Sequence, residues 1–565
     1  MKQKIHLKAA AAVFLGAVMC ALAFAPYNFS WLAWIAFVPV LLSLSADKGR
    51  FQPFIFWLAG FSLWLFSTDW FINIAFAAWI AAAAIMGVKW VLMYFALRFL
   101  HQKGIFFTFA FPIVIAGLEA CQGFLFGGFD WNFLAHSQYR FLHLIQIADI
   151  TGAAGVSFVV AMVNGYLADA VLITRRLIKE KPEINVKMLA KYGALDASLV
   201  IVIASVLLYG NFRIENEKLT EGPLIGIVQP DVPSTAKGIQ VSYDKMLERL
   251  ENQTALCRQS GADIIAWPET MIPAPMNKEY IDCCRSDSLP QKFYTRIKSL
   301  TEEFTLIAGA PYATLKIENQ SLQFDKEYNS AVIFKHGRLL ENRYDKIRLV
   351  PFGEYIPFGH IGWINDLIMH FNPQGLDFTI DRGNSLQRFR LKADSREILI
   401  TPSICYEDTD AEFTKKSLHT KGEKSDLLLN ISNDGWYVKF DGDGTARAGK
   451  EHYQRTAISV FRAVENRITL MRSVNTGISC MIDPLGKMIN GYEAGNLPEK
   501  ALNRGAVEGW FSDNIILCRR RSFFSWHGRW FSRIFLKVLI VIFAAIIIEK
   551  LWLKRNNKTE QNAER

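Results

Sequence analysis

Apolar positions crowd into the first 210 residues and into one run near the end of the chain. Seven runs centre on 13–25, 31–44, 54–66, 71–99 (chiefly its second half), 106–126, 153–172 and 197–209, and an eighth covers 534–551. Unbroken apolar runs predict membrane-spanning helices. A span needs about 20 residues, so the shorter runs must borrow from their flanks. Between 211 and 510 the pattern changes. Short strand-like runs at 224–228, 263–267, 305–310, 331–334, 398–404, 426–431 and 468–473 are rich in Val, Ile and Leu and are bounded by Pro, Gly or Asn. Met246, Leu247, Leu250 and Leu256 recur at helical spacings within 242–258, and 446–466 reads as a second helix. Strands alternating with helices predict a layered α/β domain.

Basic residues orient the spans. Lys2, Lys4 and Lys8 precede the first run; Lys48 and Arg50 follow the second, Arg98 and Lys103 the fourth, and Arg175, Arg176, Lys179 and Lys181 the sixth. They alternate, and the positive-inside rule places them in the cytoplasm. After seven spans the α/β block faces outward, and the eighth returns 553–565 to the cytoplasm. Arg519, Arg520, Arg521, Arg529 and Arg533 run against this rule on the outer side; either the large exported domain overrides that cluster, or the cluster binds anionic headgroups. Ala23-Phe24-Ala25 imitates a signal-peptide cleavage site, but the next apolar run follows at once, so an uncleaved first span is expected. Met19 is too bulky for Cys20 to read as a lipid-bearing cysteine. Lys89, Glu119 and Asp169 lie in or near apolar runs, where charge is costly and marks either function or interfacial pairing.

The chain divides accordingly into a membrane domain over 1–210, an exported catalytic domain over 211–510, a basic juxtamembrane segment over 511–533, a last span over 534–552 and a tail over 553–565. Composition sharpens this picture only in places. At 565 residues the chain exceeds one ordinary core. Hydrophobic residues make up 51% and charged residues 21%, which excludes a collagen-like or largely disordered chain. Eight cysteines in this length exclude a small disulfide scaffold, although one disulfide is permitted in an exported domain. The net charge of +10 resides largely in residues flanking apolar runs. No zinc-finger spacing, aromatic-basic RNA signature or basic heptad region appears, so nucleic acid is not an expected partner. Ten scattered histidines show no metal spacing, and no Gly-rich phosphate loop is present. Neither metal nor cofactor is expected.

Three segments of the α/β block carry chemistry. Asp-Ile-Ile-Ala-Trp-Pro-Glu-Thr holds Glu269. Tyr-Asp-Lys-Ile-Arg-Leu-Val-Pro-Phe-Gly-Glu-Tyr holds Lys346 and Glu354. Ile-Leu-Ile-Thr-Pro-Ser-Ile-Cys-Tyr-Glu-Asp holds Cys405 and Glu407. Open α/β sheets place ligands at the carboxyl ends of their strands. A thiol arriving there can attack a carbonyl, a carboxylate can take and return its proton, and an ammonium can stabilise the oxyanion and favour the thiolate. Singly, a glutamate after a strand or a buried cysteine is more often structural.

Together these residues resemble the Glu–Lys–Cys triad of the nitrilase (carbon–nitrogen hydrolase) superfamily. With spans before and after the domain, and with the motifs WPET, YDKIRLVPFGEYIP, ICYED and SNDGW, nearly the whole chain resembles the membrane-embedded apolipoprotein N-acyltransferase branch. The resemblance implies about eight helical spans plus a nitrilase-like αββα sandwich, in a monomer of the bacterial inner membrane whose catalytic domain faces the periplasm. It implies transfer of an acyl chain from a phospholipid, through a thioester on Cys405, to the N-terminal S-diacylglyceryl-cysteine of apolipoproteins. It makes Glu269 general base and acid, and Lys346 an oxyanion donor. It assigns supporting places to Glu354, Tyr406 and Glu407, and substrate-pocket places to Asn329, Asn433 and Trp436.

The chain departs from the family pattern around Lys237, where an aromatic residue is usual. It departs again after Trp436, which is followed by Tyr-Val-Lys, and in Asp441-Gly-Asp-Gly-Thr-Ala. The apolar loop 355–369 has the character of a lid or a segment dipping into lipid, or of a loop packed on its own domain. A membrane-anchored amidase with water as acceptor shares the same catalytic residues. An acyltransferase with another amine acceptor and a non-catalytic membrane scaffold are further readings, the scaffold disfavoured by the intact triad.

Overall fold

The structure, a computed structural model, describes all residues except 1, 47–48, 74–75, 125–127, 184, 236–237, 240, 319–320, 352, 356–361, 363–378, 443–444 and 564–565. Two compact units emerge. The first comprises residues 1–68, 80–212 and 529–565; the second comprises 69–79 and 213–528.

The first unit is helical. Among the described residues, five helices are long and apolar enough to cross a membrane: His6–Ala23, Phe76–Gln102, Ala153–Glu180, Val186–Asn216 and Trp530–Asn557. The second, third and fifth apolar runs form shorter helices, Ser30–Ser45, Gln52–Ser67 and Phe107–Gln122, and a further short apolar helix, Leu142–Thr151, falls where no run was expected. Close backbone approach fixes the packing: a Cβ on Gly165 would lie 2.2 Å from the Phe107 carbonyl oxygen, so only glycine admits that crossing. The charged residues in or near the apolar runs are tied to backbone and side chains. Asp169 accepts from the Thr108 amide at 2.8 Å and hydroxyl at 2.7 Å, Glu119 accepts from the Leu134 amide at 2.7 Å, and Lys89 donates to Gln122 at 2.7 Å.

The second unit stacks two sheets. The eight-stranded sheet runs Ala494–Gly495, Gly509–Cys518, Leu219–Gln229, Ile264–Ala266, Thr305–Glu318, Ser321–Lys335 and Arg338–Leu339, with Tyr344–Asp345 also paired to Ser321–Lys335. The five-stranded sheet runs Cys480–Ile482, Thr469–Val474, Leu427–Ser432, Arg396–Ile404 and Phe389–Ala393. Leu427–Ser432 and Thr469–Val474 are buried at every position, as central parallel strands covered on both faces must be. Ile225, Ile264, Ile307 and Ile333 of one sheet meet Ile400, Leu429 and Met471 of the other in an apolar layer between the sheets. Behind the larger sheet, helix Tyr243–Gln259 buries Met246, Leu247 and Leu250, and helix Leu289–Leu300 buries Phe293 and Ile297. Helix Lys450–Asn466 belongs to the smaller sheet's side, so the order is αββα.

Several expected bounds shift. Leu256 is 39% exposed, and Cys257 takes the buried position expected of it. The second helix begins at Lys450 rather than 446, because Ala446–Arg447 pairs with Lys439–Phe440 in a hairpin. Strands expected over 305–310 and 331–334 extend to Thr305–Glu318 and Ser321–Lys335, because their distal halves form an antiparallel ribbon. The boundary expected at 510 cuts strand Gly509–Cys518, which pairs antiparallel with Leu219–Gln229; the unit continues to Gly528. The eight cysteines are free thiols. Lys237 and, except for Tyr355 and Gly362, the apolar loop 355–369 lie outside the described residues.

Candidate active site

The site lies at the carboxyl ends of strands Ile264–Ala266 and Arg396–Ile404. Glu269 sits three residues beyond the first of these, in a turn where Thr270 takes a left-handed φ of 56°. A Cβ on Gly309 of the neighbouring strand would stand 2.5 Å from the Glu269 Cα, so glycine is needed for the turn to pass. Glu269 is buried, the residue being 5% exposed. Its Oε1 accepts from Asn329 Nδ2 at 2.7 Å and from Lys346 Nζ at 3.0 Å, and its Oε2 accepts from the Asn433 amide at 2.8 Å.

Lys346 follows the short strand Tyr344–Asp345, held in place where its amide donates to the Asn329 carbonyl at 2.8 Å. Asn329 thus fixes both partners of the Glu269–Lys346 pair, and its own Oδ1 has no partner among the described residues. The Lys346 ammonium is fully buried and also donates to Glu354 Oε1 at 2.6 Å. Burial opposes its charge, but Glu269, Glu354 and Cys405 outweigh burial and hold it above the usual lysine range. Glu354 is anchored in turn by the Val350 amide at 2.8 Å.

Cys405 directly follows strand Arg396–Ile404 and opens a 3-10 turn with φ of 52°. This left-handed kink turns the side chain off the strand, and such conformations persist where the surroundings hold them. Burial pushes the thiol up to about 12; Glu269 adds to the rise, while Lys346 and Arg455 pull against it. Glu407 joins the Cys405 strand to the Lys346 segment. Its Oε1 accepts from Tyr344 Oη at 2.8 Å and from the Ile347 and Arg348 amides at 2.7 and 2.9 Å, and its Oε2 accepts from the Ile404 amide at 2.8 Å. Tyr406 is half-buried against the apolar layer between the sheets.

Asn433 caps the 3-10 turn Asp434–Tyr437, its Oδ1 accepting from the Gly435 amide at 3.2 Å and from Asn475 Nδ2 at 2.9 Å. Its link to Glu269 is therefore made by the backbone, not by the side chain that singled it out in the sequence. Trp436, on the same turn, is 38% exposed.

The sequence reading missed a charged layer beneath the cysteine. Arg455 is buried and donates from Nη1 to Asp434 Oδ1 and Ser432 Oγ, both at 2.9 Å, and from Nε to Asp408 at 3.3 Å; its Nη1 lies 3.7 Å from Cys405 Sγ. Arg472 supports Asp434 at 3.2 Å. Burial opposes the Asp434 charge, yet the two guanidinium groups hold its carboxyl below the usual range. The sequence signal was there: Glu451 and Arg455 stand four apart in a helix, an ion-pair spacing, and their carboxylate and guanidinium lie 3.5 Å apart. Asp434, Glu451 and His452 bring possible metal-ligand atoms within 4.8 Å of one another, but Arg455 and Arg472 already supply the positive charge there.

A buried carboxylate, a buried ammonium and a thiol on a strained turn form one electrostatically coupled group. It fits nucleophilic acyl chemistry: proton transfer from the thiol and a fixed cation for an oxyanion.

Residues 16–166 match the family described as apolipoprotein N-acyltransferase N-terminal domain, and residues 224–502 match carbon-nitrogen hydrolase. Curated relatives extend over most of the chain. A Geobacter metallireducens protein named apolipoprotein N-acyltransferase is 28% identical over 491 residues, covering 84% of this chain and 84% of its own. Proteins of the same name from Chlorobaculum tepidum and Rickettsia prowazekii are 27% and 26% identical. They cover 81% and 86% of this chain, and 82% and 90% of their own lengths.

Proposed function

The chain belongs to the membrane-embedded apolipoprotein N-acyltransferase family, and from that premise we propose that it acylates the N-terminal S-diacylglyceryl-cysteine of apolipoproteins, with a phospholipid as donor. The observation that carries the residue roles is the buried Lys346 ammonium, 3.0 Å from Glu269 and 2.6 Å from Glu354, in electrostatic contact with Cys405.

In the first half-reaction the Cys405 sulfur attacks the ester carbonyl of the phospholipid as Glu269 takes the thiol proton. Lys346 stabilises the oxyanion, with Glu354 holding the ammonium in place. The C–O bond then breaks, Glu269 delivers the proton to the leaving lysophospholipid oxygen, and a thioester remains. In the second half-reaction the α-amino group of the lipoprotein attacks the thioester. Glu269 takes a proton from the amine, the C–S bond breaks, and the thiol is restored. The steps balance with the chain's own groups and call for no cofactor. Glu407 and Tyr406 support the turn that bears the nucleophile, and Asn329, Asn433 and Trp436 line the substrate pocket.

Both substrates are anchored in a bilayer, which gives the helical unit its chemical reason. The reading places the protein, as a monomer with eight spans, in the inner membrane with its catalytic unit in the periplasm. The basic stretches alternating between apolar runs support that orientation.

The test is complementation of a bacterial strain depleted of its own apolipoprotein N-acyltransferase, with mass spectrometry of a lipoprotein N-terminus. Growth with an N-acylated cysteine is expected. Release of free fatty acid without acylation of the acceptor would replace this reading with the amidase.

A further inference from the structure

Residues 69–73 form a short 3-10 turn in the chain between two apolar helices, Gln52–Ser67 and Phe76–Gln102, yet they belong to the second unit. Asp69 reaches two lysines. Lys439 Nζ lies 2.9 Å and Lys450 Nζ 3.3 Å from its Oδ2. These lysines stand at the two feet of one hairpin. The outgoing leg leaves the turn Asp434–Tyr437 and forms strand Lys439–Phe440; the returning leg, Ala446–Arg447, leads into helix Lys450–Asn466. The feet also meet directly, since a Cβ on Gly449 would stand 2.1 Å from the Tyr437 carbonyl oxygen. Trp70, 4% exposed, closes the clamp: its Nε1 donates to Gln454 Oε1 at 3.2 Å, and its ring meets Tyr437 edge-on at 5.2 Å.

We propose that Asp69 and Trp70 are positioning residues of the acyl site, fixing the base of the hairpin and, through it, the Asn433–Tyr437 turn. This inference rests on the function proposed above. The gripped segment bears on the chemistry at three points. Asn433 gives its amide to Glu269, Trp436 on that turn is exposed, and Gln454 precedes Arg455, whose guanidinium faces Cys405. Asp69 and Trp70 touch none of the reacting groups and act through the turn. Asp69 is well suited to this work: one carboxylate holds two cations that approach from opposite legs, so loss of its charge frees both feet at once. Each ion pair at a partly exposed site is individually weak, and their joint effect on geometry matters more, because small displacements of positioned groups cost large factors in rate.

The experiment uses the full chain in phospholipid nanodiscs and reads two rates at Cys405. One is acylation by phospholipid, followed as thioester in a single turnover. The other is alkylation by iodoacetamide, a small reagent that does not need the lipid pocket. Asp69→Asn is expected to lower kcat/KM for phospholipid acylation about tenfold while the alkylation rate changes far less and the thermal midpoint stays unchanged. Asp69→Glu should recover most of the loss. Lys439→Met with Lys450→Met, which removes the same pairs from the other side, should reproduce the loss even if Asp69→Asn fails to insert. Adding Asp69→Asn to that pair should cost nothing more. Wild-type acylation in either the Asp69→Asn or the double-lysine variant overturns the inference. So does an equal fall in both rates, the mark of a merely structural role. Cys405→Ser separates the levels. If it still transfers acyl groups, the underlying function fails; if it is inactive while Asp69→Asn is normal, only the clamp fails.

Discussion

Arg455 places its Nη1 3.7 Å from the Sγ of Cys405, so two cations, Arg455 and Lys346, act on that thiol. Burial and the Glu269 carboxylate push the thiol up, Lys346 and Arg455 pull it down, and the upward pressure prevails at about 12. The resting sulfur is therefore protonated at neutral pH. In the proposed mechanism its activation waits on proton transfer to Glu269 as a carbonyl arrives.

Glu269→Gln should separate the two effects of that carboxylate. Losing the negative charge removes an upward push, so the thiolate forms at lower pH. Losing the base removes the acceptor for the proton during acylation. Alkylation of the Cys405 peptide by iodoacetamide, followed against pH, should climb about tenfold per unit below the thiol pKa. In Glu269→Gln the whole profile should move to lower pH while acyl transfer from phospholipid falls. A profile that stays in place, or moves upward, would show that Glu269 does not act on the thiol.

Lys346→Arg should lose on the order of a hundredfold or more in turnover although the charge survives. The ammonium is fully buried between two carboxylates at 3.0 and 2.6 Å. A planar guanidinium is larger and directs its donors differently, so it cannot occupy that space without displacing Glu269 or Glu354. Near-normal kcat in this variant would reduce Lys346 to a source of general positive field.

Much of this architecture can be read from the sequence because its signals are local. Apolar runs announce the helices, and Val, Ile and Leu clusters bounded by Pro, Gly or Asn announce the central strands. Glu269, Lys346 and Cys405 stand in compact motifs close to strand ends. What escaped depends on distant partners. Strand Gly509–Cys518 carries polar Ser512-Asp513-Asn514 and falls mostly in the stretch read as a basic juxtamembrane segment, yet it pairs with Leu219–Gln229, nearly 300 residues earlier. The sequence marks Arg455 only by its ion-pair spacing to Glu451; the packing of Asp408, Asp434 and Cys405 around it gives it a role. Asp69 sits between apolar helices in sequence, and its lysine partners lie about 370 positions away.

Glu407→Gln should destabilise the second unit by about 3 kcal/mol. Both carboxylate oxygens are acceptors, three donors meeting Oε1 and one meeting Oε2. An amide has one acceptor oxygen, so its NH2 group must face a buried N–H or O–H. Burial pushes the Glu407 carboxyl up to about 7 against the pull of these donors, which reflects how little water reaches it. Urea unfolding followed by tryptophan fluorescence measures the effect. An unchanged midpoint would mean that the link between the Cys405 turn and the Lys346 segment is dispensable.

The orientation proposed for the protein predicts a definite reporter pattern. A periplasmic reporter fused after Asn211 should be active, and a cytoplasmic reporter fused after Lys181 should be active. The prediction follows from the positive-inside rule, by which Arg175, Arg176, Lys179 and Lys181 would stay inside while the next span carries the chain outward. The reverse pattern would place the catalytic unit in the cytoplasm, away from exported lipoproteins.

The covalent intermediate tests the proposed mechanism most directly. One thiol serving two bulky lipid substrates should work by ping-pong, the lysophospholipid leaving before the amine arrives. Enzyme incubated with phospholipid alone should therefore accumulate an acyl group on Cys405. Neutral hydroxylamine should remove it, since a thioester yields to that reagent far faster than an oxygen ester. Cys405→Ser should fold and insert, because the change is small, yet lose nearly all turnover: a hydroxyl at this buried position is a poorer nucleophile than the thiol. Addition of a diacylglyceryl peptide with a free α-amino group should discharge the wild-type thioester, and an N-blocked peptide should not. Peptide mass spectrometry before and after hydroxylamine makes the assignment. Label on another residue, or full transfer by Cys405→Ser, would remove Cys405 from the reaction and the Glu269–Lys346 pair from its proposed role.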